Sequence, residues 1–260
     1  MNDPQYILSR DNPLLKRLRV LAQDNTAYRK VGQVWLEGDH LCRALLTRGG
    51  RPLRAVFTET GWERATPELR EASEHPVVVP PSLMAGISGL ESPADMGFVV
   101  QLPEPGRLTE HAPTLVLDRL QDAGNVGSVL RSASAFGFRQ VVAIKGTAAL
   151  WSSKVLRSAM GAHFGLQLSE GHSQADLQAL SVPLLVTSSH RGQWLHEAVL
   201  PWPCAWVLGH EGQGVSPELE AMADVAVRIA QPGGEESLNV AAAAAICLHA
   251  SAVSSSLART

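Results

Sequence analysis

The stretch at 118–136, DRLQDAGNVGSVLRSASAF, constrains the fold of this 260-residue chain more than any other. The apolar run Thr114-Leu115-Val116-Leu117 before it predicts a buried strand of a parallel sheet. Asp122-Ala123-Gly124-Asn125 then breaks the pattern, and small and apolar residues predict a helix over 127–136. Strand, glycine turn and helix in that order suit a ligand site, because ligands gather beyond the carboxyl ends of parallel strands. A dinucleotide fingerprint would need G-x-G-x-x-G and an acidic residue about 20 positions on. Only Gly124 and Gly127 are present, and the next strand ends in Lys145-Gly146, which offers nothing to grip a ribose diol. The segment does carry Asn125 and Arg131, six apart across the turn and the first helical turns. Taken alone, Asn125 reads as a helix cap and Arg131 as a cation snorkelling to solvent.

The same alternation recurs on both sides. Toward the C-terminus, strands are predicted at Thr114–Leu117, Gln140–Ile144, Leu184–Thr187, Ala205–Leu208 and 225–229. Helices are predicted between them at 127–136, 152–160, 174–180 and 216–222, where Pro217 suits a first helical turn. An alanine-rich helix over 238–257 closes the chain; alanine both favours helix and lets another helix approach closely. Toward the N-terminus, a helix opens at Asn12-Pro13, with Leu14, Leu15, Leu18 and Leu21 apolar and Lys16, Arg17 and Arg19 polar. Strands at 32–36, 53–57, 76–79 and 96–102, with a helix at 39–46, predict a small α/β domain. The segment 102–113, LPEPGRLTEHAP, reads as a linker. The expected organisation is therefore domain 1–101, linker 102–113 and domain 114–260.

Composition excludes several classes. Three cysteines, Cys42, Cys204 and Cys247, form no C-x-x-C pair, which argues against a disulfide framework or zinc site and for a reducing, cytoplasmic setting. The nine histidines lack paired ligand spacing, so no metal is expected. No run approaches the roughly 18 apolar residues of a membrane span, and MNDPQYILSRDN has no signal-peptide core. The net charge of −3 becomes informative once divided: residues 1–54 hold ten Lys/Arg against five acids, leaving −8 for the remainder. Local positive charge is what meets phosphates. A solvated helix face is the plainer explanation of the same residues.

Two further stretches stand out. VLGHEGQGV at 207–215 is not a phosphate-binding Walker loop, since no Gly-Lys-Ser/Thr follows. Its glycines permit close backbone approach to a ligand, and Glu211 lies just past a strand end, where it could simply bond nearby amides. IAQPGGEESLNV at 229–240 contains a forced turn, Gln231-Pro232-Gly233-Gly234. Ser237 there reads as an N-cap for the last helix, or as a hydroxyl facing substrate beside the amide of Asn239.

Together D-x-x-x-D-x-x-N-x-G-S-x-x-R-S-A, L-G-x-E-x-x-G-V and the S-L-N-V tail resemble, in order, the three signature motifs of the SpoU/TrmH family. These are ribose 2′-O-methyltransferases of the SPOUT superfamily. The resemblance covers roughly the last 150 residues and implies an α/β domain with a parallel sheet threaded into a trefoil knot. It implies S-adenosylmethionine as cofactor, held at Leu208, Gly209, Ile229, Gln231 and Leu238. It maps Asn125, Arg131, Glu211, Ser237 and Asn239 onto the polar positions of the active site. It further implies a homodimer, with each site built from two subunits. The family often has Ile-Pro-Met where this chain has Ile229-Ala230-Gln231, with proline one place later. KVLRSAMGA at 154–162 also resembles a family stretch, structural or RNA-facing.

The N-terminal part resembles, more loosely, the family's ribosomal-protein-like substrate domain. Arg10, Lys16, Arg17, Arg19, Arg29 and Lys30 are its candidate RNA contacts. The expected activity is methylation of a ribose 2′-hydroxyl in RNA, ribosomal RNA first. Transfer RNA methylation and a non-catalytic RNA-binding assembly factor are the alternatives.

Overall fold

A computed structural model describes residues 3–188, 191–234 and 237–257. The first run of elements is β1 (Gln5–Tyr6), α1 (Pro13–Gln23), α2 (Ala27–Val31), β2 (Gln33–Glu37), α3 (Asp39–Thr47), β3 (Arg54–Thr58), α4 (Glu59–Arg64), α5 (Pro67–Arg70), β4 (Val77–Val79), α6 (Pro81–Ile87) and β5 (Met96–Gln101). The second run is β6 (Thr114–Leu117), α7 (Ala123–Ala135), β7 (Gln140–Ile144), α8 (Ser153–Ala159), β8 (Gln167–His172), β9 (Leu184–Thr187), β10 (Gln193–Trp194), β11 (Ala205–Leu208), α9 (Pro217–Met222), β12 (Val225–Arg228) and α10 (Val240–Leu257).

These form two compact units. One is Met1–Glu104 with Trp151–Phe164, and the other is Pro105–Leu150 with Gly165–Thr260. In the first unit a mixed sheet of order β1-β4-β3-β5-β2 runs parallel at its β1 edge and antiparallel around β5. Helix α1 buries Leu15, Leu18 and Leu21, while Lys16 and Arg17 face out. Asn12 caps α1 by accepting from Leu14 N at 2.9 Å. Helix α8 belongs to this unit although its sequence lies far downstream: Ser153 Oγ donates to the Ala22 carbonyl at 2.8 Å.

The second unit is built on a seven-stranded sheet of order β10-β12-β9-β11-β6-β7-β8, with every pair parallel. Its central strands are largely apolar and buried, as strands covered on both faces are. Val116, Val142, Val186, Val207 and Leu219 form one cluster. Burial of side chains of this size contributes about 1.5–3 kcal/mol each. On α10, Ser251 accepts from the indole Nε1 of the fully buried Trp206 at 2.8 Å. The three cysteines are free and buried; burial pushes the Cys204 thiol up to about 11 and Cys247 to about 12.

Some expectations are corrected. Helix α7 begins at Ala123, not at 127, because Asp122 caps it through Oδ1, accepting from Asn125 N at 2.8 Å. Asn125 is therefore inside the helix rather than at its cap. Helix α10 begins at Val240, and its cap is Asn239, whose Oδ1 accepts from Ala241 N and Ala242 N; Ser237 is not the cap. Residues 174–179 are a 3-10 helix, and β8 precedes it where no strand was expected. Within 102–113 the chain is pinned to the second unit from Arg107 onward. Gln167 Nε2 donates to the Arg107 carbonyl at 2.7 Å, and Thr109 N donates to Gln140 Oε1 at 2.7 Å.

Candidate active site

Strands β6 and β11 are neighbours, with Leu117 in register with Leu208, so the two loops that follow them leave the sheet side by side. Asp118 N donates to the Leu208 carbonyl at 2.8 Å, which ties the loops at their first residues. The loop after β11 is a tight hairpin: His210 N donates to Gly214 O and Gly214 N to His210 O, at 2.9 and 2.8 Å. Gly209 is required at its base, because a Cβ there would stand 2.1 Å from both Gly214 C and Val215 N.

That hairpin carries Glu211 to the start of α7. Its carboxylate accepts from the backbone N–H of Gln121 at 3.2 Å and of Asp122 at 3.0 Å, and from Asn125 Nδ2 at 3.3 Å. Partial burial raises its pKa. Its own backbone N–H, those of Asp122 and Gln121, and the Asn125 amide outweigh that, so the carboxyl sits below its ordinary value. Asn125 Oδ1 in turn accepts from Asn239 Nδ2 at 3.1 Å. Three residues from three separate stretches thus meet in one hydrogen-bonded line.

A carboxylate can only accept, so Glu211 fixes which end of the Asn125 amide faces it. The other end must accept, which presents Asn239 with a partner for its Nδ2. Asn239 is left with Oδ1 for the first N–H groups of α10. One charge therefore sets the orientation of two amides and a helix start.

The remaining expected residues are placed as follows. Arg131 is exposed on α7 and makes no hydrogen bond or ion pair among the described residues. It stands about 9 Å along the helix axis from Asn125, at 1.5 Å per residue. Ser237 is exposed, and among the described residues its hydroxyl has no hydrogen bond. Leu208 is buried in the sheet, Gly209 and Ile229 are half-buried, and Leu238 is exposed. Gln231 carries a buried Oε1 with no hydrogen-bond partner among the described residues. Its backbone carbonyl closes the turn by accepting from Gly234 N at 3.2 Å.

Among the basic candidates, Arg10, Lys16, Arg17, Arg29 and Lys30 are exposed. Arg19 is tied to the Gly86 carbonyl at 2.9 Å, and Lys16 pairs with Asp11 at 3.1 Å. Among the described residues, no group of three or more His, Cys, Asp or Glu side chains is placed to hold a metal ion. No helix of the described chain is long and apolar enough to cross a membrane.

Sequence reasoning missed the support beneath these groups. Asp118 is fully buried and accepts from Arg119 Nε at 3.0 Å and from Ser216 N at 2.7 Å. Hydrogen bonding to Asp118 is the main reason the Arg119 guanidinium pKa is raised. Arg119, at φ 61°, extends Nη1 to Gln213 Oε1 at 3.2 Å. The pair thus clamps the hairpin at 213 and 216. An acid directly after an apolar strand was the available signal for Asp118; nothing in the sequence marked its partners.

Comparison with known proteins gives a consistent result. The sequence profile of the SpoU rRNA Methylase family matches residues 112–249. An uncharacterized tRNA/rRNA methyltransferase of Synechocystis sp. is 31% identical over 258 residues, covering 95% of this chain and 93% of the relative. The 23S rRNA (guanosine(2553)-2′-O)-methyltransferase RlmP of Bacillus subtilis is 29% identical, covering 85% of this chain and 88% of the relative. Among solved structures, a TrmH-family protein from Porphyromonas gingivalis superposes with a TM-score of 0.80 at 32% identity. That match covers 93% of this chain and 97% of the other.

Proposed function

The chain belongs to the SpoU rRNA methylase family, and on that premise we propose that it methylates a ribose 2′-hydroxyl of RNA with S-adenosylmethionine, ribosomal RNA being its first substrate. The observation that carries the reading is the line Glu211–Asn125–Asn239, which joins all three motifs at the carboxyl end of a parallel sheet. Transfer RNA is the second reading, favoured by the Synechocystis relative, whose name covers both RNAs.

The cofactor's loops offer what it needs. Among the described residues Gln231 Oε1 is a buried acceptor without a donor, which an amino group of a bound ligand would satisfy. Leu208, Gly209, Ile229, Gln231 and Leu238 are the residues we assign to it. When bound, S-adenosylmethionine supplies a methyl group already activated on a sulfonium. The residues of the chain must then manage the hydroxyl. The guanidinium of Arg131 is a donor-only cation and does not serve as the base. Its role is to hold the adjacent phosphate through its planar fork and stabilise the alkoxide as it forms. A phosphate oxygen or water takes the proton. Asn125, Glu211 and Asn239 present a fixed set of donors and acceptors, and Ser237 adds an exposed hydroxyl.

The reading extends to chain path and assembly. α10 follows β12 in sequence but packs on α7 and β11, with β9 standing between β12 and β11 in the sheet, and this return supports a trefoil knot. Ala242, Ile246, His249 and Val253 are exposed along α10 at spacings of four, three and four. That stripe, apolar at Ala242, Ile246 and Val253, supports a homodimer. We assign residues 1–101 to RNA binding, as a ribosomal-protein-like module in the cytoplasm, 102–113 to the connection, and 114–260 to methyl transfer. The basic excess of residues 1–54 supports this division.

The test is transfer of tritiated methyl groups from S-adenosylmethionine, run separately on unmodified ribosomal and transfer RNA. Label in ribosomal RNA is expected. Label only in transfer RNA would favour the second reading, and RNA binding without label would favour an assembly factor.

A further inference from the structure

Trp194 lies on β10, the two-residue strand at one edge of the second sheet, in register with Arg228 of β12. In-register neighbours on parallel strands send side chains to one face. Here the Arg228 guanidinium lies 4.1 Å from the centroid of the Trp194 indole. Backbone contacts hold the pair: Arg228 Nε donates to the Gly192 carbonyl at 3.1 Å, and Leu195 N donates to the Arg228 carbonyl at 2.9 Å. Gly192 makes this possible. It sits at φ +96°, and a Cβ there would stand 2.1 Å from the Ala226 carbonyl oxygen. The His196 ring lies nearly parallel to the indole, at 22° and 6.4 Å between centroids.

The core does not need this arrangement. Both residues of β10 are exposed, and Trp194 keeps 36% of its surface in solvent. A large aromatic ring held rigid at the surface with a cation fixed against it has the chemistry that stacks an unpaired nucleobase. Its place in the sheet suits that use. All seven strands are parallel, so Trp194 and Arg228 stand at the carboxyl end, as do the turns bearing Asn125 and Glu211. β10 is three strands from β11 and four from β6, or about 14 and 19 Å at a spacing near 4.8 Å. That is a few nucleotides along a single strand.

We propose that Trp194, Arg228 and His196 form a stacking platform for an unpaired base of the RNA substrate, near the nucleotide that is methylated. This rests on the RNA-methyltransferase reading above. The platform would add affinity for single-stranded RNA with little sequence preference, because every base has a π-face.

Binding by the full-length protein tests it, with unmodified ribosomal RNA transcribed in vitro and a single-stranded oligouridylate as probes. Trp194→Ala is expected to weaken both about 5- to 100-fold and to raise KM for RNA more than it lowers kcat. Trp194→Phe should keep most of the affinity, and affinity for S-adenosylhomocysteine should not change. Trp194→Leu retains apolar bulk without a π-face, so it should behave like alanine even if the alanine variant folds poorly. Equal RNA affinity for wild type and Trp194→Leu would overturn the platform alone. Failure of the wild type to bind either RNA would overturn the functional reading and the platform with it.

Discussion

Asn239 Nδ2 donates to Asn125 Oδ1 across 3.1 Å, joining residues 114 positions apart in the chain. Because Asn125 also donates to Glu211, its amide cannot flip without losing both bonds. Single alanine substitutions at 125 and 239 should therefore not add. A double-mutant cycle on thermal or denaturant unfolding is expected to give a coupling of about 0.5–1.5 kcal/mol. Asn125→Asp should be worse than Asn125→Ala for activity, since it sets a second carboxylate against Glu211. Independent effects at the two positions would mean the contact carries no energy.

Arg131→Ala is expected to abolish methyl transfer while leaving affinity for S-adenosylmethionine within a few fold. Arg131 lies on the exposed face of α7, outside the glycine loops, and has no structural partner among the described residues to lose. Arg131→Lys should also fail, because a point charge cannot copy a bidentate fork. Near-normal turnover by the lysine variant would show that charge alone suffices.

The depressed pKa of Glu211 sets a pH window. A carboxyl bound more tightly as its anion in the fold stabilises fully above its unfolded value, about 4.3, and loses that contribution as pH falls through the lower folded value. Glu211→Gln should cost about 1 kcal/mol at neutral pH. The gap in melting temperature between wild type and variant should stay constant down to about pH 5 and shrink below it. A gap that persists into stronger acid would show that lost packing, not lost charge, is the cause.

The stripe Ala242, Ile246, His249 and Val253 gives the dimer a location. Mass in dilute solution should be twice that of the 27.8 kDa chain. Ile246→Asp combined with Val253→Asp should shift it to monomer, because a charge buried in an apolar interface lacks a partner. A fully active monomer contradicts the assignment.

Replacing Lys16, Arg17 and Arg19 together should flatten the salt dependence of RNA binding by about two log units, if each meets a phosphate at about 0.7–0.9 per contact. Arg19 already donates to the Gly86 carbonyl, so its single replacement should also lower stability slightly. Cofactor affinity should be unaffected. An unchanged salt slope would return these side chains to the role of a solvated helix face.

What the sequence made legible follows from how far its signals reach. Strands β6, β7, β9 and β11 were readable because burial on both faces leaves a largely apolar run; β12, VAVR, was readable from its valines although it is only half-buried. β8 was not, since QLSEGH is polar and half exposed at the sheet edge. Asn125, Glu211 and Asn239 were legible as motif members, but their line of hydrogen bonds depends on strand order, which no local pattern encodes. The placement of α8 with the first unit is similar in kind: helical spacing predicts the helix but not the sheet it packs on. The shift of the α10 cap from Ser237 to Asn239 was a choice between two competent capping residues, and tertiary contact with Asn125 decided it.

Identification of the labelled nucleoside tests the central claim most directly. RNA methylated by the full-length protein with tritiated S-adenosylmethionine would be digested to nucleosides and separated. All label is expected in a 2′-O-methylribonucleoside, and Arg131→Ala should remove it. Label on a base, or its full retention by Arg131→Ala, would contradict the assignment of ribose methylation to this site.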